Sequence, residues 1–311
     1  MNNLAILSKH ALQYSLLLEQ ANLDGLKIKI VSAELSTEFD YSDIDIVFGD
    51  PDLTAQIIHR CSKLKWLQST WAGNAPLFAA GKTDYQLCGV KGVFSQAMQE
   101  YVFSYLLYFC RNIEGFKQAQ LTKKWQPASF GSLAGKTLGI MGVGDIGQAV
   151  AKMAKQFSME TKGYTRTSKS CQFIDQYYSK GQEQAFAENL DFILCLLPDS
   201  AATAGLVNDI FLSFLPKHSV LINAGRGTSI DDNALLTALN TKQLHAAVLD
   251  VFNQEPLSPE HPFWHTENLF ITQHTAATSH PAQISPLFIS NYLRYIKGLT
   301  LEHRLDFGQG Y

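Results

Sequence analysis

"IMGVGDIGQAVAKMAKQF" (residues 140–157) sets an apolar run, a glycine turn and an amphipathic segment end to end. Gly142, Gly144 and Gly147 stand in GxGxxG spacing, and Ile146, Val150, Met153, Ala154 and Phe157 recur after them at helical period. A strand that enters a helix through such a turn is the signature of a dinucleotide site. The first glycine permits the tight turn, the second lets backbone approach a pyrophosphate, and the third lets helix and strand pack closely. Backbone N–H groups of Asp145 and Ile146 are then expected to point at phosphate, from a helix N-terminus that favours negative charge. The Asp145 carboxylate is expected to face solvent, because pointed inward it would repel that phosphate.

Outward from this stretch, six short apolar runs alternate with helix-length segments: residues 136–143, 161–165, 191–198, 219–225, 246–252 and 269–274. That alternation predicts a Rossmann-type, doubly wound parallel sheet. Upstream, runs at 4–7, 27–32, 43–49, 64–69 and 86–90 predict a second, smaller sheet. A helical tract around 96–118 joins the two series, and a terminal helix containing "LFISNYLRYIKG" is placed to return to the first. The expected organisation is an α/β protein with its nucleotide-binding domain, 97–278, inserted into a smaller substrate-binding domain, 1–96 plus 279–311.

Bulk composition agrees with two such domains, since 311 residues exceed the usual single core. A hydrophobic content of 46%, a charged content of 17% and a net charge of −3 describe an ordinary globular chain and do not favour nucleic acid. The start, "MNNLAILSKH", lacks the cationic and apolar regions of a secretory signal. The longest apolar tract, "YVFSYLLYFC", ends at Arg111, short of the roughly 20 residues of a membrane span, and reads as a buried helix. Cys61, Cys88, Cys110, Cys171 and Cys195 show no CxxC spacing, as expected of thiols in a reducing cytoplasm. His261 and His265 have i,i+4 spacing, but Pro262 and the missing third ligand argue against a metal, and none is expected.

About 20 residues past such a glycine turn, NAD-binding units place an acid on the adenosine ribose. "YTRTSK" (164–169) stands there instead. Arg166 can grip a 2′-phosphate in bidentate fashion, Lys169 adds a point charge, and Thr167 or Ser168 can cap it. NADPH is therefore the expected cofactor, in preference to NADH.

"NAGRG" (223–227), "LDVFNQEP" (249–256) and "ITQHTA" (271–276) follow the last three predicted strands, where an open α/β sheet binds its ligand. Reducing a 2-keto acid needs a cation for carboxylate and carbonyl and an acid for the developing alkoxide. Arg226 and His274, at the end of its strand, are those two groups, and Glu255 is expected to orient the imidazole through its second nitrogen.

In the order glycine loop, "AGRG", "DVFNQEP" and "QH", the chain resembles the D-isomer-specific 2-hydroxyacid dehydrogenases along nearly its whole length. The resemblance implies a flavodoxin-like substrate domain and catalytic Arg226, Glu255 and His274, with Arg226 and His274 facing both substrate and cofactor. It implies that Leu197 and Pro198 line the adenosine side, that Ala224 belongs to the cofactor site, and that Asp250 approaches the nicotinamide carboxamide. In "STWAGNAP", the N–H groups of Ala72 and Gly73 would hold the substrate carboxylate and Trp71 would narrow the pocket. Glyoxylate and hydroxypyruvate are the implied substrates. A homodimer is also implied, with an arm at 96–132 that carries Trp125 towards the partner subunit. The chain departs from the family at Asn74, where Asp is frequent, at Gln273, where Pro is usual, and at Thr275 beside the histidine. Two alternatives share the fold: a nucleotide-sensing corepressor, and another dehydrogenase such as an NAD-linked phosphoglycerate, formate or phosphite enzyme.

Overall fold

The computed structural model describes residues 1–127, 130–166 and 171–308. Two compact units divide the chain, Met1–Val93 with Ser279–Tyr311, and Phe94–Thr278.

In the first unit, β1 (Asn2–Leu7), β2 (Leu26–Ser32), β3 (Ile46–Gly49), β4 (Trp66–Ser69) and β5 (Gln86–Cys88) form a parallel sheet in the order β2-β1-β3-β4-β5. This is the flavodoxin-like order, and all five strands fall on the runs expected. Ala5, Leu7, Val47, Leu67 and Leu87 build the core on one face. On the other, Phe288 of helix Pro281–Ile296 stacks against Phe48 at 4.7 Å and Trp66 at 4.9 Å. Asn291 donates to Gln68 at 3.0 Å, so the terminal helix does return to this sheet.

The second unit holds seven parallel strands: β6 (Thr137–Met141), β7 (Glu160–Tyr164), β8 (Gln176–Tyr178), β9 (Phe192–Cys195), β10 (Val220–Asn223), β11 (Ala246–Leu249) and β12 (Leu269–Ile271). Their order, β12-β11-β10-β9-β6-β7-β8, is the Rossmann order with one strand added beyond the sixth. Strands β6, β9, β10 and β11 are buried along their whole length, because helices cover both faces of a parallel sheet. Side chains alternate between two cores: Leu138, Ile140, Val220 and Ile222 face one, and Met141 and Leu221 the other.

Three expectations are corrected. Six strands were expected here and there are seven; β8 is a three-residue edge strand, "QYY", too short and polar to register as an apolar run. The helical tract around 96–118 is two helices, Ser95–Cys110 and Ile113–Leu121, broken where Asn112 takes the left-handed conformation at φ 50°. The last strand stops at Ile271, so His274 lies in a turn beyond it rather than at a strand end.

Candidate active site

Parallel register aligns the strand ends of the second unit. Met141 pairs with Tyr164 and Cys195, Cys195 with Asn223, Asn223 with Leu249, and Leu249 with Ile271. The residues that follow, Gly142, Thr165, Leu196, Ala224, Asp250 and Thr272, therefore come off one carboxyl edge. Segments as far apart in sequence as the glycine turn and His274 are brought to that edge by pairing alone.

Each glycine of the turn does a different job. Gly142 has φ +100°, and a Cβ there would sit 2.7 Å from the Leu196 carbonyl oxygen. A Cβ on Gly147 would lie 2.4 Å from the Gly142 carbonyl oxygen, so the third glycine brings helix and turn together. Gly144 is exposed, and a Cβ on it would meet open space. Those features fit a dinucleotide: two glycines shape the turn, and the middle one keeps a face bare at the N-terminus of helix Asp145–Gln156. The Asp145 side chain is exposed and accepts a hydrogen bond from Ser95 at 3.3 Å. Arg166 is exposed just past β7, whereas Thr167, Ser168 and Lys169 lie outside the described residues. Leu197 is buried and Pro198 exposed after β9, with the Pro198 carbonyl accepting from the Thr203 hydroxyl at 2.6 Å.

Ala224 and Arg226 follow β10 on a turn in which the glycines at 225 and 227 have no room for a side chain. A Cβ on Gly225 would lie 2.8 Å from the Leu197 nitrogen, and one on Gly227 would lie 1.9 Å from the Phe252 carbonyl carbon. The Arg226 carbonyl accepts from the Asn223 amide at 3.0 Å and the Ser229 hydroxyl at 2.7 Å, and its guanidinium donates to the Gly225 carbonyl at 2.7 Å. Glu255 Oε1 takes the Phe252 N–H at 2.9 Å, which leaves Oε2 to meet His274 Nδ1 at 2.7 Å. Nδ1 donates to the carboxylate in that contact, and Nε2 takes no part in it.

Asp250, almost wholly buried, anchors the histidine turn. Its Oδ1 accepts from the Thr272 hydroxyl at 2.6 Å, the Thr275 N–H at 2.7 Å and the Ala276 N–H at 3.1 Å, and its backbone carbonyl takes the His274 N–H at 2.6 Å. Because the single Thr272 hydroxyl proton goes to Asp250, the Tyr101 hydroxyl, 2.9 Å away, must donate to Thr272. Burial holds the Tyr101 phenol well above its ordinary pKa, consistent with a permanent donor. Sequence reasoning missed Tyr101, Asn223 and Thr272; a polar residue closing an otherwise apolar strand, as in "VLIN", is the signal that could have found the second.

In the first unit, Trp71, Ala72 and Gly73 follow β4, with Ala72 exposed. His261, one half of the i,i+4 pair, accepts the Phe263 N–H at Nδ1, 3.3 Å, and sets Nε2 3.6 Å from Asp232. No helix of the described residues is long and apolar enough to cross a membrane.

The second unit thus sets a glycine turn, a carboxylate-paired histidine and an arginine at one edge of a Rossmann-type parallel sheet. The family model for the D-isomer specific 2-hydroxyacid dehydrogenase NAD binding domain matches residues 103–276, and the chain belongs to that family. It is similar to glyoxylate/hydroxypyruvate reductase A of Serratia proteamaculans, 33% identical over 217 residues that make up 70% of this chain and 69% of that protein. A D-isomer specific 2-hydroxyacid dehydrogenase family protein from Aeromonas salmonicida superposes with TM-score 0.93 at 36% identity, over 98% of this chain and 99% of that one. The NADPH-dependent glyoxylate/hydroxypyruvate reductase of Sinorhizobium meliloti, solved with NADP and sulfate, superposes with TM-score 0.88 at 28% identity across 100% of both chains. The protein is thus an oxidoreductase of the 2-hydroxyacid dehydrogenase type with a domain for a nicotinamide cofactor.

Proposed function

We propose that the protein reduces a small 2-keto acid, glyoxylate or hydroxypyruvate, to the 2-hydroxy acid, with NADPH preferred over NADH. The observation that carries this reading is the 2.7 Å hydrogen bond between Glu255 and His274 Nδ1, on the same sheet edge as the bare glycine turn and Arg226. A bound reduced nicotinamide supplies the hydride. His274 Nε2 delivers the proton to the forming alkoxide while Glu255 keeps the ring oriented. The Arg226 guanidinium holds the carboxylate and polarises the carbonyl, and the N–H groups of Ala72 and Gly73 share the carboxylate, with Trp71 narrowing the space around it. Leu197, Pro198, Ala224 and Asp250 complete the cofactor site. The cations after β7 and the NADP-bound relatives support the 2′-phosphate preference.

Free cysteines at 61, 88, 110, 171 and 195 support a cytoplasmic setting. A homodimer is part of this reading, formed through the arm whose helix Ile113–Leu121 buries none of its residues.

Initial-rate oxidation of NADPH and NADH, each with glyoxylate and with hydroxypyruvate, is the test. Expected is turnover with a higher kcat/KM for NADPH, and loss of most of that preference in Arg166→Ala. Turnover with NADH alone would keep the enzyme and reject the phosphate role of Arg166. Nucleotide binding without turnover would instead point to a sensing protein.

A further inference from the structure

His274 hangs from the end of an edge strand. β12 closes one side of the seven-stranded order, pairs only with β11, and its three residues are partly buried. Such a strand is held by ladder hydrogen bonds on one side, so a turn carried on its end needs support from elsewhere in the fold. The need is real here, because Gln273 and His274 both take the left-handed conformation.

Helix Ser95–Cys110 supplies that support. Tyr101, Tyr105 and Tyr108 stand at i, i+4 and i+7, which places them on one face of the helix. Phe270, the middle residue of β12, meets Tyr108 and Phe109 edge-on, with ring centroids 5.4 and 5.5 Å apart, and Tyr105 at 6.2 Å. Tyr101 continues the row, its ring 5.2 Å from that of Tyr105 and its hydroxyl 2.9 Å from Thr272 Oγ1. Aromatic packing thus covers the strand, and a polar contact follows where the strand ends.

That contact has a fixed direction. Thr272 gives its single hydroxyl proton to Asp250 Oδ1, so its oxygen is left to accept, and the Tyr101 phenol donates to it. Asp250 in turn receives the N–H groups of Thr275 and Ala276 on its carboxylate and that of His274 on its carbonyl. The donors run from phenol to hydroxyl to carboxylate, and Asp250 holds the backbone of three consecutive residues. In a buried chain of this kind each hydrogen bond polarises the next. Phenylalanine at 101 would keep the packing and lose the first donor; valine at 272 would break the chain in the middle.

We propose that Tyr101 is a positioning residue which, through Thr272 and Asp250, fixes the turn that carries the His274 imidazole. It has no need to touch the substrate, since it acts by holding the mount of the group that does. The inference rests on the reading of His274 as the proton donor.

The test compares wild type with Tyr101→Phe, Thr272→Val and Thr272→Ser, measuring kcat and KM with glyoxylate, melting temperature, and hydrogen exchange of the His274, Thr275 and Ala276 N–H groups against those of β10. Expected in Tyr101→Phe is a kcat lowered about fivefold or more with glyoxylate KM within about twofold, and exchange about fivefold faster at the turn with β10 unchanged. Thr272→Val should exceed both effects, and Thr272→Ser should recover most of what Thr272→Val loses. Wild-type exchange at the turn in Tyr101→Phe would overturn the proposal, as would wild-type kcat beside faster exchange. Exchange that rises equally at the turn and in β10, with earlier melting, would make the phenol a support of the whole fold and overturn it too. If wild type turns over neither glyoxylate nor hydroxypyruvate, the functional reading falls by itself. Exchange then decides the inference: faster exchange confined to the turn in Tyr101→Phe and Thr272→Val sustains it, and any other pattern overturns it.

Discussion

Gln273 and His274 both hold positive φ, 57° and 58°, which side chains other than glycine adopt at a cost of order 1 kcal/mol each. The hydrogen bonds that Asp250 accepts from Thr272, Thr275 and Ala276 offset that strain and turn the imidazole off the line of β12 towards Glu255. Replacing His274 with Ala should lower kcat by about 10²–10⁴-fold, the range of a lost general acid. Arg226→Lys keeps the charge and loses the planar fork, so KM for the keto acid should rise about tenfold or more, seen in steady-state kinetics with NADPH saturating. Wild-type kinetics in both variants would remove these two residues from the chemistry.

Elements carry the next set of constraints, and the glycine turn separates shape from binding. Gly144→Ala adds a methyl to open space, so its melting temperature should match wild type while NADPH binding, by fluorescence titration, weakens. Gly147→Ala drives a methyl into the Gly142 carbonyl, and neither backbone can yield without moving the helix; a loss of about 1–3 kcal/mol in stability is expected together with weaker NADPH binding. A second elemental contact ties β7 to the segment before β8. Asp175 receives the Lys155 ammonium, the Thr161 N–H at 2.8 Å and the Thr161 hydroxyl at 3.1 Å. Partial burial pushes its pKa up, but the Lys155 and Thr161 hydrogen bonds outweigh that and hold it below the ordinary carboxylate value. A depressed folded-state pKa means stability that is present above the unfolded value, near 4, and lost as pH falls through the folded one. Urea unfolding should therefore show Asp175→Asn weaker than wild type at pH 7, with the gap closing below about pH 4.

At the scale of the whole molecule, each unit has its own sheet and core, and the second also carries a group of exposed apolar side chains. Ile113, Phe116, Leu121, Trp125 and Phe130 are all exposed within one short arm, Trp125 at 96%. Apolar side chains gathered this way mark an interaction surface, and a second copy of the chain is the occupant in the proposed dimer. Sedimentation equilibrium should give twice the 34.6 kDa chain mass for wild type. The double variant Phe116→Lys, Leu121→Lys should shift towards the single chain with its circular dichroism unchanged; a wild-type monomer would refute the arm's role.

Local chemistry made the two sheets, the insertion of one unit into the other and the cofactor turn legible, because parallel buried strands are written as continuous apolar runs and a GxGxxG turn needs its glycines in fixed order. The placement of Arg226, Glu255 and His274 just past the last strands was legible for the same reason: each follows such a run within a short loop. Strand β8 was hidden, since three residues at a sheet edge need no apolar pattern. Tertiary structure alone decided that Asp250 serves the histidine turn and that Tyr101 joins it from a distant helix. Those roles depend on which buried donor meets which acceptor, and only the paired strands, bringing far positions to one edge, determine that.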